Sequence, residues 1–218
     1  ASLELPSLSV MALVGGSGSG KTTIGLAILR LLPLGLVASQ GRILFAGEDV
    51  LRLSEERMRL LRGKDISMVF QEPLYAFNPV FSIGDQIEEV LRVHSALNAR
   101  QRRDRIFELL NLVGLPDPKR IAGNYPHQLS GGMRQRAMIA QAIAAGPKLI
   151  IADEPTSNLD VTLQANVMEL FRKLKDELKL SILLITHDLG MVAHMADRVA
   201  VMTEGKIVER GTTRAILE

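Results

Sequence analysis

Cysteine and tryptophan are absent from the 218 residues, and aromatic side chains make up only 4% of them. Without cysteine the chain can hold no disulfide, thiolate-bound metal or iron–sulfur cluster of its own, which is compatible with a reducing compartment. Long apolar runs are also missing. The most apolar early stretch, 24–37, is interrupted by Arg30 and Pro33, and none reaches the roughly 18 apolar residues of a membrane span. Charge of either sign is nearly balanced: 26 basic against 24 acidic residues leave a net +2. No clustered basic face accompanies it, so no nucleic-acid partner is expected. No internal repeat and no low-complexity linker is visible.

What remains is an ordinary globular composition, 47% hydrophobic and 23% charged, which excludes a disordered, collagen-like or coiled-coil chain. Short aliphatic runs alternate with longer helical patterns, predicting an α/β fold around a largely parallel sheet. The predicted strands are 10–14, 42–46, 66–70, 149–153, 181–186 and 199–203, and 2–5 also reads as a strand. Glu204-Gly205 has the spacing of a two-residue hairpin turn before 206–210, so part of the sheet is expected to be antiparallel. Leu163, Val167, Leu170, Phe171, Leu174 and Leu178 recur at helical spacing, with Arg172, Lys173, Lys175 and Asp176 opposite them.

Between 72 and 147 the strand signal disappears, and helical patterns at 83–93, 100–113 and 133–144 replace it. The chain is therefore divided into a core, 1–71 with 148–218, and an inserted helical subdomain, 72–147. Arg100, Arg102, Arg103 and Arg105 are interleaved with Asp104 and Glu108, the pattern of a solvated helix face.

Gly15-Gly16-Ser17-Gly18-Ser19-Gly20-Lys21-Thr22 matches the phosphate-loop pattern GxxxxGK[ST] at every fixed position, between a predicted strand and a predicted helix. Glycines let backbone N–H groups turn inward around phosphates, and the helix presents its positive end to the same anion. Lys21 is expected to reach the β- and γ-phosphates and Thr22 to coordinate Mg²⁺, with Thr23 completing the phosphate site. A buried strand at 149–153 ends in adjacent carboxylates, Asp153 suited to the Mg²⁺ shell and Glu154 to polarising a water. No NKxD pattern selects guanine, which favours ATP over GTP.

Leu129-Ser130-Gly131-Gly132-Met133-Arg134-Gln135-Arg136 resembles the LSGGQ signature of ATP-binding cassette ATPases, with Met133 in the last place. Locally it is a second anion site at a helix start capped by Ser130. The order of motifs strengthens the resemblance. Gln71 matches the family's Mg²⁺- and water-sensing glutamine, Ser157-Asn158-Leu159-Asp160 its dimer-contact loop, and His187 its switch histidine. His94, His127 and His194 are read as structural. The stretches 71–79 and 125–136 are similar to those of the dipeptide, oligopeptide and nickel importer ATPases, although Asn158 stands where many of these carry alanine.

The resemblance implies a P-loop NTPase core and an ATP- and Mg²⁺-dependent ATPase. Its catalytic residues would be Glu154, His187 and Gln71, its metal ligands Thr22, Gln71 and Asp153, and its nucleotide contacts 15–23, Asp153, Ser130, Gly131, Gly132 and Asp160. It also implies a second cassette subunit, a membrane permease, indirectly a solute-binding protein, and a place on the cytoplasmic face of the membrane. The permease would dock near Pro73, Leu74, Tyr75, Ala76 and Phe77, with Tyr75 and Phe77 either exposed anchors or core residues. The alternative is a soluble cassette ATPase acting on nucleic acid or the ribosome. Residues 1–20 contain no aromatic and the first is Phe45, so the family's upstream strand and adenine-stacking loop are expected to be missing, with the C-terminus cut as well.

Overall fold

Five consecutive apolar residues make β1 (Val10–Val14), buried throughout and flanked by parallel strands on both sides. The computed structural model describes residues 2–38 and 40–217. Around β1 lie β4 (Ile66–Val69), β5 (Leu149–Asp153), β6 (Ser181–Thr186), β7 (Arg198–Thr203) and β8 (Lys206–Thr212), in the order β4-β5-β6-β1-β7-β8. Every neighbouring pair is parallel except β7 and β8. Those two are joined through Glu204 and Gly205, at φ 47° and 76°, the double positive φ of a hairpin turn that follows the strand twist.

Strand side chains alternate between two cores, as a period of two requires. Leu149, Ile151, Leu183 and Ile185 join Met58 and Leu61 of α2 (Glu55–Leu61) on the face that also carries α1 (Lys21–Ile28). Ile150, Ala152, Ile182 and Leu184 face the larger core. There they meet Val167, Leu170, Phe171 and Leu174 of α8 (Val161–Leu178), the helix whose apolar stripe the sequence displays; Leu163 and Leu178 lie half-buried at its margins.

No strand occurs among the described residues between 72 and 147. The chain there forms α3 (Pro73–Ala76), α4 (Ile83–His94), α5 (Ala99–Leu112), α6 (Pro118–Gly123) and α7 (Gly131–Ile143). The arginine-rich face of α5 is matched by carboxylates: Arg102 pairs with Glu88 at 3.1 Å and Arg105 with Glu108 at 3.0 Å.

Two predicted strands are corrected. In place of 42–46 there is a small separate hairpin, β2 (Leu44–Phe45) with β3 (Glu48–Asp49), because Ala46 and Gly47 adopt positive φ and reverse the chain. Residues 2–5 form no strand: Leu3 and Leu5 pack against the core beside α1 and α2, and the link to β8 is made by a side chain, Arg210 Nη1 donating to the Ser2 carbonyl at 3.5 Å. After β8 the chain ends in α9's partner helix α10 (Thr213–Leu217), α9 being Leu189–Met195.

Candidate functional site

Register decides which loops meet. Val14 lies opposite Thr186, and Asp153 opposite Ile185, so the glycine-rich loop, Asp153-Glu154 and His187 all leave the sheet at the same strand ends. In open α/β sheets ligands bind at that edge. Glu154 N–H donates to the Ile185 carbonyl at 2.8 Å, extending the β5–β6 ladder to the site itself.

The glycine-rich loop is shaped by steric necessity at two positions. A Cβ at Gly15 would stand 2.2 Å from the Met202 carbonyl oxygen, and Gly20 opens α1 at φ 97°, where a side chain is disfavoured. Lys21, 7% exposed, folds back into the loop. Its Nζ donates to the carbonyls of Gly15 and Gly16 at 2.9 Å each and to Ser19 Oγ at 3.5 Å. Gly16, Ser17, Gly18, Thr22 and Thr23 remain exposed around it. The ammonium thus sits within the loop at the start of α1, a setting suited to phosphate oxygens.

Asp153 is 3% exposed and accepts a hydrogen bond from Thr22 Oγ1 at 3.1 Å. Burial pushes its pKa above the ordinary carboxylate range, and neighbouring Glu154 adds to the rise; the Thr22 bond and Lys21 oppose it. A hydroxyl and a carboxylate held together are hard oxygen donors of the kind Mg²⁺ takes beside substrate phosphates. The residues present therefore fit a Mg²⁺ ion. Glu154 adopts φ 46°, an uncommon conformation for a non-glycine residue, and its carboxylate meets His187 Nδ1 at 2.8 Å. His187 is itself exposed, while Ser157 fastens the turn by donating N–H and Oγ–H to the Glu154 carbonyl.

The remaining expected residues form a second group. Ser130 caps α7, its Oγ accepting from Met133 N–H at 3.3 Å, and Asp160 caps α8, accepting from Leu163 N–H at 3.0 Å. A Cβ at Gly132 would meet Leu163 Cδ1 at 3.2 Å, so the signature turn packs directly on the start of α8. Gln71 is exposed beyond the end of β4 and lines a groove with Gly131, Arg134 and Ser157. No hydrogen bond joins it to Thr22 or Asp153 among the described residues. Tyr75 is 84% exposed and Phe77 only 3%, which decides between the two readings: Phe77 is a core residue in the cluster with Ile83 and Ile87, correcting its place among the expected permease contacts, while Tyr75 is exposed.

Three positioning residues had no sequence signal. Gln86 fastens the turn before α4, its Oε1 accepting from Asn78 N–H at 2.8 Å and its Nε2 donating to the Asn78 and Phe81 carbonyls at 3.0 and 3.1 Å. Gln164 donates to the carbonyls of Thr156 and Leu159, bracing the loop after Glu154. Asp197 accepts from Val10 N–H at 2.7 Å and ties down the start of β1. A glutamine on a helix or an aspartate before a strand is unremarkable until its partners are in view.

Fold and loop together define a P-loop nucleotide-binding protein, a parallel-sheet α/β core with a glycine-rich loop between its first strand and first helix. A family model described as ABC transporter matches residues 1–157. The oligopeptide transport ATP-binding protein OppD of Bacillus subtilis is 50% identical over 207 residues, covering 94% of this chain and 58% of its own length. The dipeptide transport ATP-binding protein DppD of the same organism is 48% identical over 216 residues, covering 99% and 64%. Among solved structures, the dimeric post-hydrolysis state of the ATP-binding cassette MJ0796 bound to ADP and Pi superposes with a TM-score of 0.84 at 27% identity, covering 97% of this chain and 88% of that one. The chain belongs to the ABC transporter family. It spans less than two thirds of the length of these curated relatives.

Proposed function

We propose that this chain is the ATP-hydrolysing part of a peptide importer, acting as one of two cassettes that close on ATP and drive a membrane permease. The observation that carries the chemistry is the juxtaposition, by strand register, of the Lys21 loop, the Thr22–Asp153 pair and the Glu154–His187 contact at 2.8 Å. Loop residues 15–23 hold the phosphates, with Lys21 exchanging its bonds to the loop carbonyls for bonds to phosphate oxygens. Thr22 and Asp153 would hold Mg²⁺, with Gln71 brought to it as the groove beside Gly131 closes. When bound, the ion neutralises phosphate charge and activates the leaving group. Glu154 accepts a proton from the attacking water, and His187, through Nδ1, orients the Glu154 carboxylate. Ser130, Gly131 and Gly132 of one subunit meet the nucleotide of the other, and Asp160 sits in the loop that contacts the partner.

Two features support the permease partner and a peripheral place on the cytoplasmic face. The relatives are named as ATP-binding proteins of transport systems, and no described helix of this chain is long and apolar enough to cross a membrane. Exposed Leu74 and Tyr75 stand on α3, beside Gln71, where a permease helix could sense nucleotide. The names of the relatives support peptides as cargo, with nickel the competing solute.

Glu154→Gln tests the reading. ATP binding is expected to persist and turnover to fall by about 10²–10⁴-fold, because the amide keeps the shape and loses the base. Wild-type turnover in this variant, measured as phosphate release, would remove Glu154 from the mechanism. Copurification with permease subunits and peptide-dependent or nickel-dependent stimulation in vesicles separates the cargoes.

A further inference from the structure

A groove of about 180 Å³ lies between residues 71–74, the first turn of α7 and residues 155–159. Its floor holds an unusual side chain. Gln135 is 2% exposed, and its Nε2 is buried with no hydrogen-bond partner. Buried donors are nearly always satisfied, so an acceptor is missing from this arrangement of the groove. Arg134, the residue before it, is half-buried on the same wall and forms no ion pair among the described residues. Other half-buried arginines of the chain are satisfied: Arg62 bonds the Leu29 carbonyl and Glu55, and Arg102 bonds Glu88 and the Leu97 carbonyl.

Glu72, exposed just before α3, lines the same groove. It is the one acidic residue lining the groove, as Arg134 is the one basic residue. Its side chain makes no capping bond to α3 and no ion pair among the described residues, so rotation toward the groove breaks nothing. A carboxylate offers about four acceptor sites, enough for a guanidinium and an amide together.

We infer that Glu72 closes across the groove onto Arg134, with Gln135 Nε2 donating to the same carboxylate, fastening residues 71–76 to the first turn of α7. The consequence for turnover rests on the proposed function. Residues 71–76 carry Gln71 and the permease-facing Tyr75, and the first turn of α7 carries the glycines that meet the partner's nucleotide. The fastening makes these two surfaces move as one piece. Glu72, Arg134 and Gln135 are positioning residues, and none of them touches the reacting atoms.

A charge-swap cycle tests it with two readouts: urea unfolding without nucleotide, and ATP turnover. Glu72→Arg and Arg134→Glu are each expected to raise the unfolding equilibrium constant about two- to fivefold, and Glu72→Arg/Arg134→Glu to recover most of that lost stability. Turnover should fall about tenfold in each single variant and return to within about threefold in the swap. Gln135→Leu fills the same space without the donor, and should halve the coupling between positions 72 and 134. Additive losses in the unfolding cycle would overturn the pair. Coupling in unfolding without rescue of turnover would overturn the link to the nucleotide site. If the wild-type chain turns over no ATP at all, the proposed function falls, and the unfolding cycle alone still decides whether the pair exists.

Discussion

Lys21 and Asp153 each carry a structural duty that can be separated from nucleotide chemistry. The Lys21 ammonium satisfies two loop carbonyls and the Ser19 hydroxyl, all supplied by its own loop. Lys21→Ala is therefore expected to cost about 1.5–3 kcal/mol of stability with no nucleotide present, the range for hydrogen bonds to a charged group. Chemical unfolding without ATP checks this, and an unchanged midpoint would mean that the loop is indifferent to its lysine. At Asp153 the sign is opposite. Burial and Glu154 raise its pKa in the folded chain, so the folded state holds the proton more tightly than the unfolded one. That contribution to stability is greatest below the ordinary carboxylate range and is lost as pH rises through the folded value. Asp153→Asn keeps an acceptor for Thr22 and removes the charge. It should raise the melting temperature at neutral pH by about 2–4 °C for each kcal/mol gained, flatten the pH dependence, and abolish extra stabilisation by Mg²⁺ with ATP. A lower melting temperature in the variant would contradict the account of the buried charge.

The helices that frame the site are held by side chains whose importance comes from their partners. α4 starts with a reciprocal cap, Ser82 and Asp85 each bonding the other's backbone N–H. Gln86, one residue further, fastens Asn78 and Phe81 to the same helix. Gln86→Leu should leave one amide and two carbonyls unpaired and destabilise the fold by about 2–3 kcal/mol, with faster hydrogen exchange confined to 78–82. Exchange unchanged in that segment would show that another group holds the turn. The capped start at Ser82 is legible in the chain because a cap is local. The glutamine is not, because its partners are set by the turn that it stabilises. The same distinction explains β2 and β3: the aliphatic run at 42–46 reads as a sheet strand, yet the reversal at Ala46-Gly47 confines it to a two-residue ladder. It also explains residues 2–5, where Leu3 and Leu5 read as strand residues but pack against the core beside α1 and α2 without joining a ladder.

In the whole molecule the glycine-rich loop lies between β1 and α1 and the signature turn at the start of α7. A split site follows from that separation in the proposed dimer. Ser130→Arg should leave ATP affinity of the isolated chain within about twofold, yet reduce turnover by more than 10²-fold by blocking closure. Wild-type specific activity should rise with protein concentration as dimers form. Concentration-independent activity in the wild type, or normal turnover in Ser130→Arg, would contradict the shared site.

Strand and helix alternation, the phosphate loop, the paired carboxylates and the capped signature turn are all written in short segments, since each depends on neighbours a few residues away. Five of the predicted strands consequently return with their bounds within a residue or two. Other features join residues far apart in the chain, and only folding settles them. The strand order places β1 between β6 and β7, the register brings Glu154 to His187, Asp153 comes to Thr22, and Phe77 turns into the core while Tyr75 faces out. A short aromatic or carboxylate pattern does not encode which side meets solvent or which distant loop arrives beside it. Burial and register, which require the packed sheet and both of its cores, decide that.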